Sequence, residues 1–141
     1  MSEKKSRHSY TTLPNALGEL ELSVMEYIWR KPGHDAKQIT LNLESQHTSG
    51  LSTVQSTLER LVRKRILTRV KKGHAFLYYP HVSRGELLGN LMRDVIKLLH
   101  DGSTDTILSS FVNVAAKLDA SALDELELLI RKKRQQEKND D

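Results

Sequence analysis

Ser52-Thr53-Val54-Gln55-Ser56-Thr57-Leu58-Glu59-Arg60-Leu61-Val62-Arg63-Lys64-Arg65, running on into Ile66-Leu67-Thr68-Arg69-Val70-Lys71-Lys72-Gly73-His74-Ala75-Phe76-Leu77-Tyr78-Tyr79-Pro80, changes its period halfway along. In the first part Val54, Leu58, Leu61 and Val62 recur at i, i+4, i+7 and i+8, the spacing of a helix with one apolar face. Ser52 to Gln55 is an S-x-x-Q capping box, which predicts a helix start at about Thr53. In the second part Ile66–Lys72 and Ala75–Tyr79 are β-branched or aromatic in part, and Gly73 lies between them, where a hairpin turn needs positive φ. A helix followed directly by a hairpin is the end of a winged helix.

The upstream sequence supplies the rest of that unit. From Gly18 to Arg30, Leu22, Met25 and Trp29 recur at helical steps with Val24 and Ile28 beside them, and Lys31-Pro32-Gly33 ends the segment. A second short helix is predicted from Asp35, its N-cap, to Gln46, with Ile39, Leu41 and Leu43 as apolar residues. Thr48-Ser49-Gly50 breaks the chain before the third helix. Residues 1–12 are polar, without apolar periodicity, and read as a flexible arm. The first domain is therefore expected over residues 13–82.

Downstream the pattern is wholly helical. Ser83-Arg84-Gly85-Glu86 is a second capping box, opening a helix with Leu87, Leu88, Leu91, Val95, Leu98 and Leu99. Asp101-Gly102-Ser103 separates it from a helix carrying Ile107, Leu108, Phe111, Val112, Val114 and Ala115. A last helix is expected from about Ser121, with Leu123, Leu126, Leu129 and Ile130 on one side, ending where the charged residues from Arg131 begin. The fold class is mostly α with a small β-hairpin: a winged helix-turn-helix, a helical dimerisation region over 83–136, and a charged tail at 137–141.

Composition narrows the function. The 141 residues carry 22 Lys+Arg against 18 Asp+Glu, a net charge of +4. Between Arg60 and Lys72 there are seven cations and no acid, a local basic face that favours a polyanionic partner. The absence of cysteine excludes disulfides, thiolate metal sites and thiol nucleophiles. Neither a secretory signal nor an apolar run of the ~18 residues needed to span a bilayer is found, so a cytoplasmic protein without membrane contact is expected. No H-E-x-x-H, G-x-S-x-G or glycine-rich phosphate loop occurs, so neither an enzyme nor a metal or cofactor is expected.

On a wheel of about 100° per residue, Thr53, Ser56, Arg60 and Arg63 gather opposite the apolar arc of the third helix. Short polar side chains near the start of such a helix can approach base edges, and the cations beyond can reach phosphate. Thr53, Gln55 and Ser56 are therefore candidates to read bases, and Arg60, Arg63, Lys64, Lys71, Lys72 and His74 to contact the DNA backbone. The competing reading is a protein-interaction module whose basic face is merely solvated. In the second half, Leu91, Val95, Leu99, Leu123, Leu126, Leu129 and Ile130 offer more apolar surface than three short helices readily hide, which points to a twofold homodimer. Folding back of these helices onto the first domain is the alternative.

These residues resemble the penicillinase-repressor (BlaI/MecI) family of bacterial winged-helix regulators. The similarity runs from about Leu17 to Leu129, through Glu21-Leu22-Ser23-Val24-Met25, Ile28-Trp29, Thr53-Val54-Gln55-Ser56, Arg60-Leu61, Lys72-Gly73, Tyr79-Pro80 and Asp101-Gly102-Ser103. The resemblance implies homodimers on palindromic double-stranded operators, repression of transcription and, in antibiotic-responsive members, release by a regulatory protease acting within the C-terminal helices. It also marks departures. Arg65 stands where the family usually has glycine, so the helix-to-strand junction must tolerate a side chain or change conformation. Ser110-Phe111 replaces the Asn-Phe scissile pair and becomes the candidate cleavage point. Phe111, spaced with Ile107, Leu108 and Val114, reads first as a core side chain. The C-terminal cysteines of the copper-responsive branch are missing.

Overall fold

The computed structural model describes residues 13, 15–43 and 49–140. The arm expected over 1–12 and the end of the second predicted helix lie outside the described residues. The chain divides into two units, one reaching to Val95 and the other beginning at Ile96.

In the first unit, α1 (Glu19–Arg30) begins after Gly18, whose N–H donates to Glu21 Oε1 at 3.2 Å. Its buried face is Val24, Met25, Tyr27 and Ile28. Leu22, expected on that face, is 44% exposed, because the helical spacing carries it round to the side opposite Val24 and Ile28. Trp29 is also off the main face, and its Nε1 donates to Val82 O at 3.0 Å. Helix α2 (Ala36–Leu43) is capped as expected: Asp35 Oδ1 accepts from the Gln38 N–H and Gln38 Oε1 from the Asp35 N–H, both at 2.9 Å. Ile39 and Leu43 are buried, whereas Leu41 is 67% exposed on the opposite side.

Helix α3 (Leu51–Arg63) starts earlier than the S-x-x-Q pattern predicts. Its N-cap is Gly50, in extended conformation, and the Val54 N–H donates to Gly50 O at 3.1 Å. Half-buried Leu51 continues the apolar stripe one turn back from Val54, which draws Ser52 into the first turn instead of leaving it as cap. The far end closes on Arg65, the only non-glycine with positive φ among the described residues, at +62°. The Arg65 N–H donates to Val62 O and the Ile66 N–H to Leu61 O, the paired bonds of a Schellman motif with arginine in the place that glycine usually takes. Of the two conformations open to this junction, the chain therefore keeps the left-handed one and tolerates the side chain.

Strands β1 (Leu67–Lys72) and β2 (Ala75–Pro80) pair antiparallel, from Leu67 opposite Pro80 to Lys72 opposite Ala75. The loop is Gly73-His74, with positive φ at Gly73. The hairpin is tied to the segment after α1, since the Gly33 N–H donates to Tyr78 O and the Tyr78 N–H to His34 O. Val24, Met25, Ile28, Ile39, Val54, Leu58, Leu61, Ile66 and Tyr78 form the common core. Helix α4 (Arg84–Leu99) opens with the Glu86 N–H on Ser83 Oγ and adds Leu87 to that core. Asp94 Oδ2 accepts from both the backbone N–H and the Nδ2 of Asn15.

In the second unit, Asp101 Oδ1 accepts from the Ser103 N–H, and Ser103 caps α5 (Thr104–Leu118). Helix α6 (Ala122–Asp140) packs against α5. It does not end at Arg131. Lys, Arg, Gln and Glu are good helix formers even without an apolar face, so the charged stretch continues the helix. Neither α5 nor α6 contains a buried residue.

Candidate nucleic-acid interface

The site is built on α3 and the hairpin. The buried side of α3 is Val54, Thr57, Leu58 and Leu61, with Val62 at its margin. That burial turns Thr53, Gln55, Ser56, Arg60 and Arg63 outward, all exposed. Sequence reasoning left Thr57 out of the core because threonine reads as polar. Its hydroxyl is nevertheless satisfied, donating to Thr53 O at 2.9 Å and accepting from Arg60 Nη2 at 3.2 Å. The second bond lays the Arg60 guanidinium along the helix. Ser56 Oγ donates to Ser52 O at 3.0 Å, so its proton is committed and its free lone pairs face out. Ser52 and Glu59, also exposed, share this outer arc and were missed; a wheel centred on the true buried face reveals both.

Lys64 differs from the other cations. Its Nζ lies 3.2 Å from Glu21 Oε2, a bond that fastens the end of α3 to the start of α1. On the hairpin Lys71, Lys72 and His74 are exposed at or beside the turn. Strand alternation sends Lys71 to the face of Arg69 and Tyr78, and Lys72 to the face of Thr68 and Val70. The Arg69 guanidinium stacks 4.3 Å over the Phe76 ring, stiffening the hairpin behind its tip. Burial raises the Tyr78 phenol pKa, opposed by the nearby Arg69 charge and hydrogen bond.

Below the hairpin the exit of the unit is pinned by charge. Arg84 pairs with Glu26, and its guanidinium lies 4.7 Å over Trp29. Hydrogen bonding and attraction from Arg84 hold the Glu26 carboxyl below its ordinary range. No described helix is long and apolar enough to cross a membrane.

The arrangement is a winged helix: a helix with an open polar face and, beside it, a basic two-residue turn on a hairpin packed into the same core. The sequence profile of the penicillinase repressor family matches residues 17–132. The chain belongs to that family. It is 31% identical over 109 residues to the transcriptional regulator BlaI of Mycobacterium tuberculosis, spanning 76% of this chain and 79% of that one. With the penicillinase repressor of Bacillus licheniformis it shares 23% identity over 96 residues, 68% of this chain and 75% of the relative. The solution structure of the DNA-binding domain of the repressor BlaI is 28% identical and covers 53% of this chain and 90% of its own, with a TM-score of 0.47. As a penicillinase-repressor family member, the protein is a DNA-binding transcriptional repressor.

Of the remaining candidates, Leu91 and Leu126 are half-buried within the single chain, while Val95, Leu99, Leu123, Leu129 and Ile130 are exposed. Phe111 is 38% exposed, not buried in a core of its own chain. Ser110 lies in the middle of α5, with its Oγ donating to Thr106 O at 2.7 Å.

Proposed function

We propose that this repressor works as a cytoplasmic homodimer on a twofold-symmetric operator. In this reading α3 enters the major groove, Thr53, Gln55 and Ser56 meet base edges, and Arg60, Arg63, Lys71, Lys72 and His74 neutralise phosphates. Lys64, already held by Glu21, contributes less. Ser56 acts as an acceptor, because its proton is spent on the helix, and so selects an amino group of adenine or cytosine. The observation that carries the proposal is that one core holds both the open polar face of α3 and the basic hairpin tip, giving a groove reader and a backbone contact in fixed relation.

Dimerisation is supported by α5 and α6, which bury none of their own residues yet expose Leu123, Leu129 and Ile130 with Leu108, Phe111 and Val112. A face of this kind on a single chain is unstable in water until something covers it. Release by proteolysis between Ser110 and Phe111 would remove α6 and leave the winged helix whole. The peptide there is helical, so a protease would first have to unwind it.

Selection of bound duplexes from a random pool tests the proposal. A motif with two inverted half-sites about one helical turn apart, or a multiple of that, supports it. A single asymmetric motif, bound with one chain per duplex, overturns the dimer.

A further inference from the structure

The charged end of α6 is not accounted for by the fold. Arg131, Lys132, Lys133 and Arg134 are consecutive, helical and exposed. None of them forms an ion pair among the described residues. At about 100° per residue they encircle the helix, so a cation faces outward on every side. Two structural explanations fail. Cations complement a helix dipole only in the last turn, and these stand more than a turn before Asp140. Nor do they continue the packing surface, since the apolar stripe through Leu123, Leu126 and Ile130 meets Arg134 at its next position and no apolar residue follows. Glu127 stands four residues before Arg131 and Glu137 four after Lys133, at helical pairing distance, yet neither closes an ion pair with the cluster among the described residues.

We infer that Arg131, Lys132, Lys133 and Arg134 form a second, sequence-independent contact with the phosphate backbone of double-stranded DNA, apart from the bases read by α3. The charge is right for a polyanion: the four cations follow one another over about 6 Å of helix at 1.5 Å per residue, close enough together for those on one side to meet neighbouring phosphates. A membrane surface is disfavoured, because a helix that lies on lipid needs an apolar face and this stretch has none. DNA is already held by the winged helix, so a tethered second contact finds it at high effective concentration. The backbone could belong to the same duplex or to a second one.

The test uses the full chain with random-sequence duplexes of about 20 and 40 base pairs, about two and four helical turns, and follows affinity against salt. The variant R131Q/K132Q/K133Q/R134Q keeps good helix formers throughout. Its salt slope should fall by about two units per protomer, since about half of an encircling set can face one duplex and each lost phosphate contributes about 0.9. A loss seen only on the longer duplex assigns the contact to flanking DNA; a loss of complexes holding two duplexes, at either length, assigns it to a second molecule. The control K97Q/K117Q removes exposed lysines of α4 and α5. An unchanged slope in the quadruple variant, or an equal loss per charge in the control, overturns the inference.

Discussion

Arg65 is held in a conformation that its side chain does not favour. A left-handed L-residue costs about 1–2 kcal/mol, partly offset in a glycine replacement by the roughly 0.5–1 kcal/mol of extra chain entropy that glycine loses on folding. Arg65→Gly should therefore raise stability by about 0.5–1 kcal/mol in denaturant titration, with an unchanged fold. A destabilised variant would show that the arginine makes a compensating contact. The proposed readout residues separate by salt dependence. Lys72→Ala should weaken all duplexes alike and lower the salt slope by about 0.9 per protomer, whereas Ser56→Ala should leave the slope alone and change discrimination between sites. At this scale the sequence was legible where a residue's chemistry matches its location. Thr57 was missed because a back-bonded threonine is apolar in effect but not in name, and Ser52 was misread because a glycine cap such as Gly50 has no side chain to announce it.

The elements are joined by a few polar bonds whose pH behaviour follows from their charges. Arg84 lowers the Glu26 pKa, so the contribution of the pair is present above the unfolded-state value near 4.5 and is lost as pH falls through the lower folded-state value. Glu26→Gln should accordingly be less stable than wild type at neutral pH, by a small margin because the pair is exposed, and equal to it well below pH 4.5. Chemical denaturation at the two pH values checks this, and a difference that persists in acid would assign the effect to packing. Element types were plain from periodicity, above all the change from helical to alternating period between Leu61 and Leu67. The length of α6 was not, because hydrophobic periodicity disappears at Arg131 while helix propensity does not. The apolar residue Leu22 reads as inward for the same reason in reverse: apolar character is visible, but the phase of the helix depends on tertiary neighbours.

For the whole molecule, Leu129 gives a cleaner test of association than half-buried Leu126, whose replacement would also disturb the packing of α6 on α5. Leu129 is 60% exposed in the single chain. An unpaired charge buried in an interface costs on the order of 3 kcal/mol, or more than a hundredfold in dissociation constant, so Leu129→Asp should sediment as a monomer where wild type is dimeric. A variant that remains dimeric would remove this part of α6 from the interface. What covers an apolar face cannot be read from one chain's periodicity, which reports only that a face exists. Helix α4 carries a different consequence, for the birth of the protein. Leu87 and Asp94 complete the first unit from within α4, well after Pro80 has closed the hairpin. On the ribosome, where chains grow by about 5–20 residues per second, the winged helix therefore lacks its last supports for about a second after its reading elements have been synthesised. During that interval the nascent domain should be more open to chaperones than the finished one.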